Sequence, residues 1–229
     1  MRRWALLVSS VVLQGCSNLT EGAGGVVGLE IRAPSLKTIE VGETLQLSVV
    51  ALDKDGNPVA APVTWLAPDT TLTVDGATGA ITGVAPGTGH VQAFTGSLAS
   101  ELVTFTVIAP ADTLVLTGDS VITVAPGVPF STPLLVELRS FSPDGPLPSR
   151  PVIFAVTSPP DVGPHTVELP GAVLVDTVLT GTDGAVSSVT LNRVNGTTQP
   201  PTAIVEVRAF RTRGAVVPGS GQRFTVNFQ

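Results

Sequence analysis

One segment of this chain occurs twice. Leu47 and Val49, Asp55-Gly56 and Pro62-Val63-x-Trp65 return 89 positions later as Val136 and Leu138, Asp144-Gly145 and Pro151-Val152-x-Phe154. An ungapped match across strand, turn and strand means that one small unit is used twice. The unit reads as β. Leu45, Leu47 and Val49 alternate with polar residues, the period of a half-buried strand. Further short strands are expected at Val63–Trp65, Thr70–Val74, Ala80–Thr82, His90–Phe94 and Val103–Ile108. Between them stand turn sequences such as Asp55-Gly56-Asn57-Pro58, Gly76-Ala77-Thr78-Gly79 and Ala85-Pro86-Gly87-Thr88-Gly89. The chain's 24 Gly and 20 Pro fit many tight turns and weaken helices. The spacing predicts an all-β chain folded as two tandem sandwiches.

The halves drift apart later. Thr78-Gly79-Ala80-Ile81 corresponds to Asp183-Gly184-Ala185-Val186, now 105 positions on. The second unit therefore carries an insert, rich in Pro at its start (Ser158-Pro159-Pro160, then Pro164). Residues 158–170 are expected to form a loop with a role of its own, since functional variation collects on loops.

Residues 29–108 resemble a bacterial immunoglobulin-like domain of group 2. The matching stretches are Val41-Gly42-Glu43-Thr44-Leu45-Gln46-Leu47, Asp55-Gly56-Asn57-Pro58-Val59, Val63-Thr64-Trp65, Thr78-Gly79-Ala80-Ile81-Thr82-Gly83-Val84 and Pro86-Gly87-Thr88. Residues 113–229 resemble more loosely the invasin-type, group 1 relatives through Thr182-Asp183-Gly184-Ala185-Val186, and depart from them at Pro146-Leu147-Pro148. The resemblance implies two immunoglobulin-like β-sandwiches joined by a linker at 109–112, in an extracytoplasmic setting. It implies no particular activity.

The first sixteen residues, MRRWALLVSSVVLQGC, read as a lipoprotein leader. Arg2 and Arg3 are followed by an apolar run from Trp4 to Leu13, half the roughly 20 residues that a membrane span needs. Leu13-Gln14-Gly15-Cys16 resembles the bacterial lipobox. That resemblance implies signal cleavage between Gly15 and Cys16, a signal peptide over 1–15 and a diacylglyceryl thioether on Cys16. Two or more acyl chains anchor stably, at about 0.8 kcal/mol per buried methylene. Cys16 is the only cysteine, so no intramolecular disulfide is possible. Residues 16–28, Gly-rich and without periodicity, are expected to be a flexible tether.

Charge and motifs exclude several chemistries. The net charge of −6 falls to −8 without Arg2 and Arg3, and the remaining basic residues are scattered, so a nucleic-acid partner is not expected. Only His90 and His165 could serve as the base of a hydrolytic triad, and no Gly-x-Ser-x-Gly elbow is present. Two distant His and an acylated Cys make no zinc site. Asp53-Lys54-Asp55-Gly56-Asn57 spaces oxygens like a calcium loop, but Pro58 and Thr64 stand where such a loop wants Gly and Glu, which favours a turn. Asp119, Asp144, Asp161, Asp176 and Asp183 are expected mostly in turns. Phe94, Phe105, Phe154, Phe210 and Phe224 are expected in the core, with Phe228 exposed. Arg208, Arg211 and Arg213, the densest basic group, are expected on a solvated strand face. No catalytic residue, metal or cofactor is expected. The sequence thus points to a non-enzymatic, lipid-anchored cell-envelope protein. Its sandwiches would serve as a spacer or adhesion module for a protein or glycan partner, the alternative being a polysaccharide-binding module.

Overall fold

The computed structural model describes residues 25–160, 164–198 and 200–229. Among them are 22 strands and no helix, arranged as two tandem immunoglobulin-like β-sandwiches. In the N-terminal sandwich, Gly28–Arg32, Ser48–Leu52 and Pro58–Val59 form one sheet. The facing sheet is built on Gly87–Thr95, which pairs with Leu98–Ala99, Thr64–Leu66 and Val103–Ile108. Thr38–Glu40 adds to Val103–Ile108 in parallel. A third sheet joins Thr44–Gln46, Ala80–Gly83 and Leu72–Val74.

The C-terminal sandwich repeats this plan. Thr113–Leu116, Val136–Phe141 and Asp144–Pro146 form one sheet, with Ala185–Val186 also on Val136–Phe141. The facing sheet runs Val121–Val124, Gln222–Phe228, Thr202–Ala209, Pro151–Ser158, Val175–Leu179, and its first pair is again parallel. A small ladder joins Val167–Glu168 to Asn192–Arg193.

Alternation explains why each core sits where it does. Successive strand residues face opposite sides of a sheet, so Val91 and Ala93, Phe105 and Val107, and Val205 and Val207 all point inward and are nearly inaccessible. The repeated anchors occupy equivalent places. Trp65 lies opposite Ala93 and Phe154 opposite Val207, one in each core.

Several expectations need correction. The strand expected over Leu45–Val49 is divided between two sheets. Thr44–Gln46 pairs with Ala80–Gly83, whereas Ser48–Leu52 pairs with Gly28–Arg32. The chain changes sheet at Leu47, whose N–H donates to Gly79 O at 3.1 Å while its side chain stays in the core. Asp144 and Asp176 lie in strands, not turns. In the second sandwich the turn is shorter, because Phe141 pairs directly with Asp144 around Ser142-Pro143. Phe94 is only half-buried, since it shares a face with His90 and Gln92, and Phe210 is 37% exposed. Phe228 is half-buried, with the Arg193 guanidinium stacked 4.7 Å from its ring centre.

The insert is also more than a loop. Residues 161–163 lie outside the described part. Beyond them, Val167 and Leu169 are 1% and 0% exposed and belong to the C-terminal core. Leu169→Ala is expected to lower stability by about 2–5 kcal/mol, the usual cost of truncating a fully buried leucine. Urea denaturation measures it. A loss below about 0.5 kcal/mol would mean that the insert is separate from the core.

Candidate functional site

The lipidation and cleavage residues, Cys16 and Gly15, lie outside the described residues, as does Asp161. The other residues singled out by sequence do not come together. His90 is on the outer face of its sheet, and its Nδ1 lies 2.7 Å from an Asp69 carboxylate oxygen that also accepts the His90 backbone N–H. His165 belongs to the other sandwich, beside a small Pro-lined cleft. Asp53 accepts the backbone N–H groups of Asp55 and Asn57, each at 2.9 Å, which makes a self-capped turn between two paired strands. Those bonds lower the Asp53 carboxyl below its ordinary range, with the Asn57 N–H first among them. Among the described residues no group of three or more His, Cys, Asp or Glu could hold a metal ion.

The densest polar constellation lies between the two sandwiches. It starts from Glu40, the last residue of Thr38–Glu40, which is 1% exposed. A buried carboxylate must be paired and hydrogen-bonded. The C-terminal sandwich supplies what Glu40 needs. The backbone N–H and hydroxyl of Thr212 donate to Glu40 Oε1 at 3.1 and 2.9 Å. Arg150 Nη1 lies 3.6 Å from the same oxygen, and Arg211 Nε lies 3.9 Å from Oε2.

Two local structures aim these groups. On one side a turn follows the strand, with Gly42 at φ +79°. In it Glu43 Oε2 accepts the Glu40 backbone N–H at 2.8 Å. Glu43 thereby faces the other sandwich, where its Oε1 is 2.6 Å from Arg213 Nε. On the other side Thr202–Ala209 runs into a hairpin tip closed by Arg211 N–H to Ala215 O at 2.7 Å. That tip carries Arg211, Thr212 and Arg213 together. Arg213 also donates to Thr38 O at 3.1 Å.

The connecting residues 109–112 are fastened in between. Arg150 donates to Ala109 O at 2.5 Å and Arg211 to Ala111 O at 3.0 Å. Arg211 also pairs with Asp112 at 2.8 Å. Ala111 is itself part of the C-terminal core. Three carboxylates thus meet three guanidiniums across one joint, and its net charge is zero. Burial pulls the Arg150 guanidinium down from its ordinary value, and the Glu40 charge pulls it back up. A cleft of about 190 Å³ beside Glu43 and Arg213 is smaller than the roughly 300 Å³ at which ligand pockets begin. These contacts join the two sandwiches through charged and hydrogen-bonded side chains.

The basic group read from sequence is therefore split. Arg211 and Arg213 belong to the joint, and only Arg208 lies on an exposed sheet face. Glu40 and Arg150 carry no local sequence signal, because the opposite charges they meet lie a hundred or more positions away.

No family model and no curated protein matches the sequence. Solved structures similar to this chain include an adhesin, InvE of Yersinia pseudotuberculosis, at 19% identity and a TM-score of 0.40 over 85% of this chain. The fibronectin(III)-like modules of Clostridium thermocellum CbhA align at 18% identity and a TM-score of 0.40, over 87% of this chain and 92% of theirs. The D00-D0 domain of Intimin aligns at 14% identity and a TM-score of 0.32, over 87% of this chain and 96% of that one. The chain spans 57% of the adhesin's length.

Proposed function

We propose that this chain is a non-enzymatic, lipid-anchored cell-envelope protein whose sandwiches, over 29–108 and 113–229, act as one stiff spacer. The buried ionic joint around Glu40 carries the reading. A flexible pair of modules has no need to bury a carboxylate between them, whereas a spacer that keeps its two sandwiches aligned gains from such a contact. The leader supports the location through its short apolar run and Leu13-Gln14-Gly15-Cys16.

Stiffness is tested by spin labels at Ser97→Cys and Thr177→Cys, both exposed and in different sandwiches. One narrow distance distribution is expected, and a broad one overturns the spacer. The anchor is tested by Cys16→Ala, which should move the protein from the membrane pellet to the soluble fraction. If that variant still sediments with membranes, lipid on Cys16 is not what holds it.

A further inference from the structure

Apart from the joint, one carboxylate among the described residues is buried in an unusual place. Glu206 projects from the outer face of the C-terminal five-stranded sheet, the face turned away from the core, yet it is 5% exposed. Two guanidiniums cover it. Arg208, two residues on and so on the same face, donates its Nε to Glu206 Oε1 at 2.5 Å, with its Nη2 on the same oxygen. Arg223, directly opposite Glu206 on the neighbouring strand, donates its Nε and Nη2 to Oε2 at 3.2 and 3.1 Å. These bonds, Arg208 first, hold the Glu206 carboxyl below its ordinary range against the opposing effect of burial.

The cluster is unbalanced and it faces outward. Among the described residues, the other guanidiniums of this sandwich are spent elsewhere. Arg139 meets Glu137 and Asp144, Arg150, Arg211 and Arg213 build the joint, and Arg193 donates to backbone carbonyls and stacks on Phe228. Arg208 and Arg223 share one carboxylate while their side chains remain 58% and 61% exposed. Each keeps the Nη1 amino group clear of Glu206. Diagonal cross-strand neighbours lie about 7–8 Å apart, so two oriented donor groups stand side by side with one positive charge in excess. Fixing them beforehand removes rotamer entropy that a ligand would otherwise have to overcome.

The surroundings select the ligand's shape. Toward one edge the face continues with Thr225, Asn227, Thr202 and Thr123, interspersed with Ile204 and Val121, and toward the other with Ile153, Val175 and Leu179. An extended sheet face bearing neutral hydrogen-bonding groups and apolar side chains around a cationic pair suits an extended, hydroxyl-rich polymer with carboxylate groups, whose sugar rings offer both hydroxyls and C–H faces. We infer that Arg208 and Arg223, positioned by Glu206, form a binding site for an acidic polysaccharide on the outer face of the C-terminal sandwich. The site is independent of the spacer reading. Because the rest of the mature chain is acidic, the attraction is short-ranged and is screened by salt.

Calorimetric titration of the mature chain, residues 16–229 carrying Cys16→Ala and so with neither leader nor lipid to confound the result, tests the inference. The probes are polygalacturonate, a neutral dextran of similar length and phosphatidylglycerol vesicles. Polygalacturonate should bind at low salt and release as salt rises, and dextran should not bind. R208Q/R223Q should weaken polygalacturonate binding about tenfold or more, as expected for losing paired charge-assisted hydrogen bonds, and should lower the melting temperature, because Glu206 loses both guanidinium partners. If the double variant does not fold, R208Q alone decides. R208K/R223K keeps the charge but not the fork and should fall in between. The site is overturned if polygalacturonate does not bind or if the glutamine variants bind it as tightly as the parent. It is also overturned if the vesicles bind better than polygalacturonate with the same arginine dependence, which would make the partner a membrane.

Discussion

Replacing Glu40 by Ala should cost about 3–5 kcal/mol, the range for removing one partner of a buried ion pair. The loss should appear as uncoupling of the two sandwiches. With Glu40 gone, Arg150, only 17% exposed, keeps Ala109 O but has no carboxylate, and the Thr212 N–H and hydroxyl lose their acceptor. Arg211 retains Asp112, so the C-terminal sandwich itself stays intact. In urea, followed by Trp65 fluorescence and by circular dichroism, the parent should show coincident transitions. Glu40→Ala should separate them, with the Trp65 signal moving first. Glu40→Gln keeps an acceptor for Thr212 but loses the charge, and should fall between. Pairing Glu40→Ala with Arg150→Ala should return part of the loss, since the second change removes the stranded cation. Moderate salt should do little, because screening acts weakly on a buried pair. Coincident transitions in Glu40→Ala, with stability within about 0.5 kcal/mol of the parent, would mean that some other contact joins the sandwiches.

What the sequence made legible and what it hid divide along physical lines. Alternation and turn chemistry are local, so the repeated strands, the Trp65 and Phe154 anchors and the Asp53 turn could be read from a few neighbouring residues. Phe94 was equally readable. It shares parity with His90 and Gln92, and assigning it to the core gave aromatic character more weight than parity. Val167 and Leu169, two positions apart, carry a parity signal of the opposite kind, two inward-facing apolar residues within a Pro-rich insert. The joint is different. Glu40 at a strand end and Arg211 in a hairpin tip are charges like many others in sequence, and only folding shows that they meet. Arg208 lies three residues before Arg211 in sequence, yet the hairpin tip separates an outward-facing charge from one facing the other sandwich. Nothing in the spacing of those arginines carries that distinction. The leader stands apart, because its meaning comes from recognition of a short linear pattern and not from packing.

Gly79→Ala and Gly184→Ala should each destabilise by roughly 2–5 kcal/mol, for two reasons that a control can separate. The two glycines are equivalent in the repeat, and both have φ +76°, a left-handed backbone that costs a side-chain-bearing residue about 1–2 kcal/mol. Each also sits where a Cβ has no room. At position 79 it would lie 2.5 Å from Trp65 Cε2, and the indole, 8% exposed, is held in the core. At position 184 it would lie 2.7 Å from Leu138 O and 2.9 Å from Leu147 N. Overfilling a packed site adds about 1–3 kcal/mol. Position 184 should fall at the upper end, because backbone atoms of paired strands yield less than a ring that can tilt. Gly56→Ala is the control, at φ +80° with no atom within 4 Å of the added carbon, so it carries the strain alone. With the two sandwiches unfolding together, each kcal/mol lowers the melting temperature by about 2–4 °C. Gly79→Ala should additionally shift Trp65 emission, which Gly184→Ala and Gly56→Ala should leave in place. If all three variants melt together, backbone strain accounts for the turn glycines and the close approach to Trp65 contributes nothing. If the two core-facing variants melt well below Gly56→Ala, the turn glycine is retained in both sandwiches because each core is packed against it.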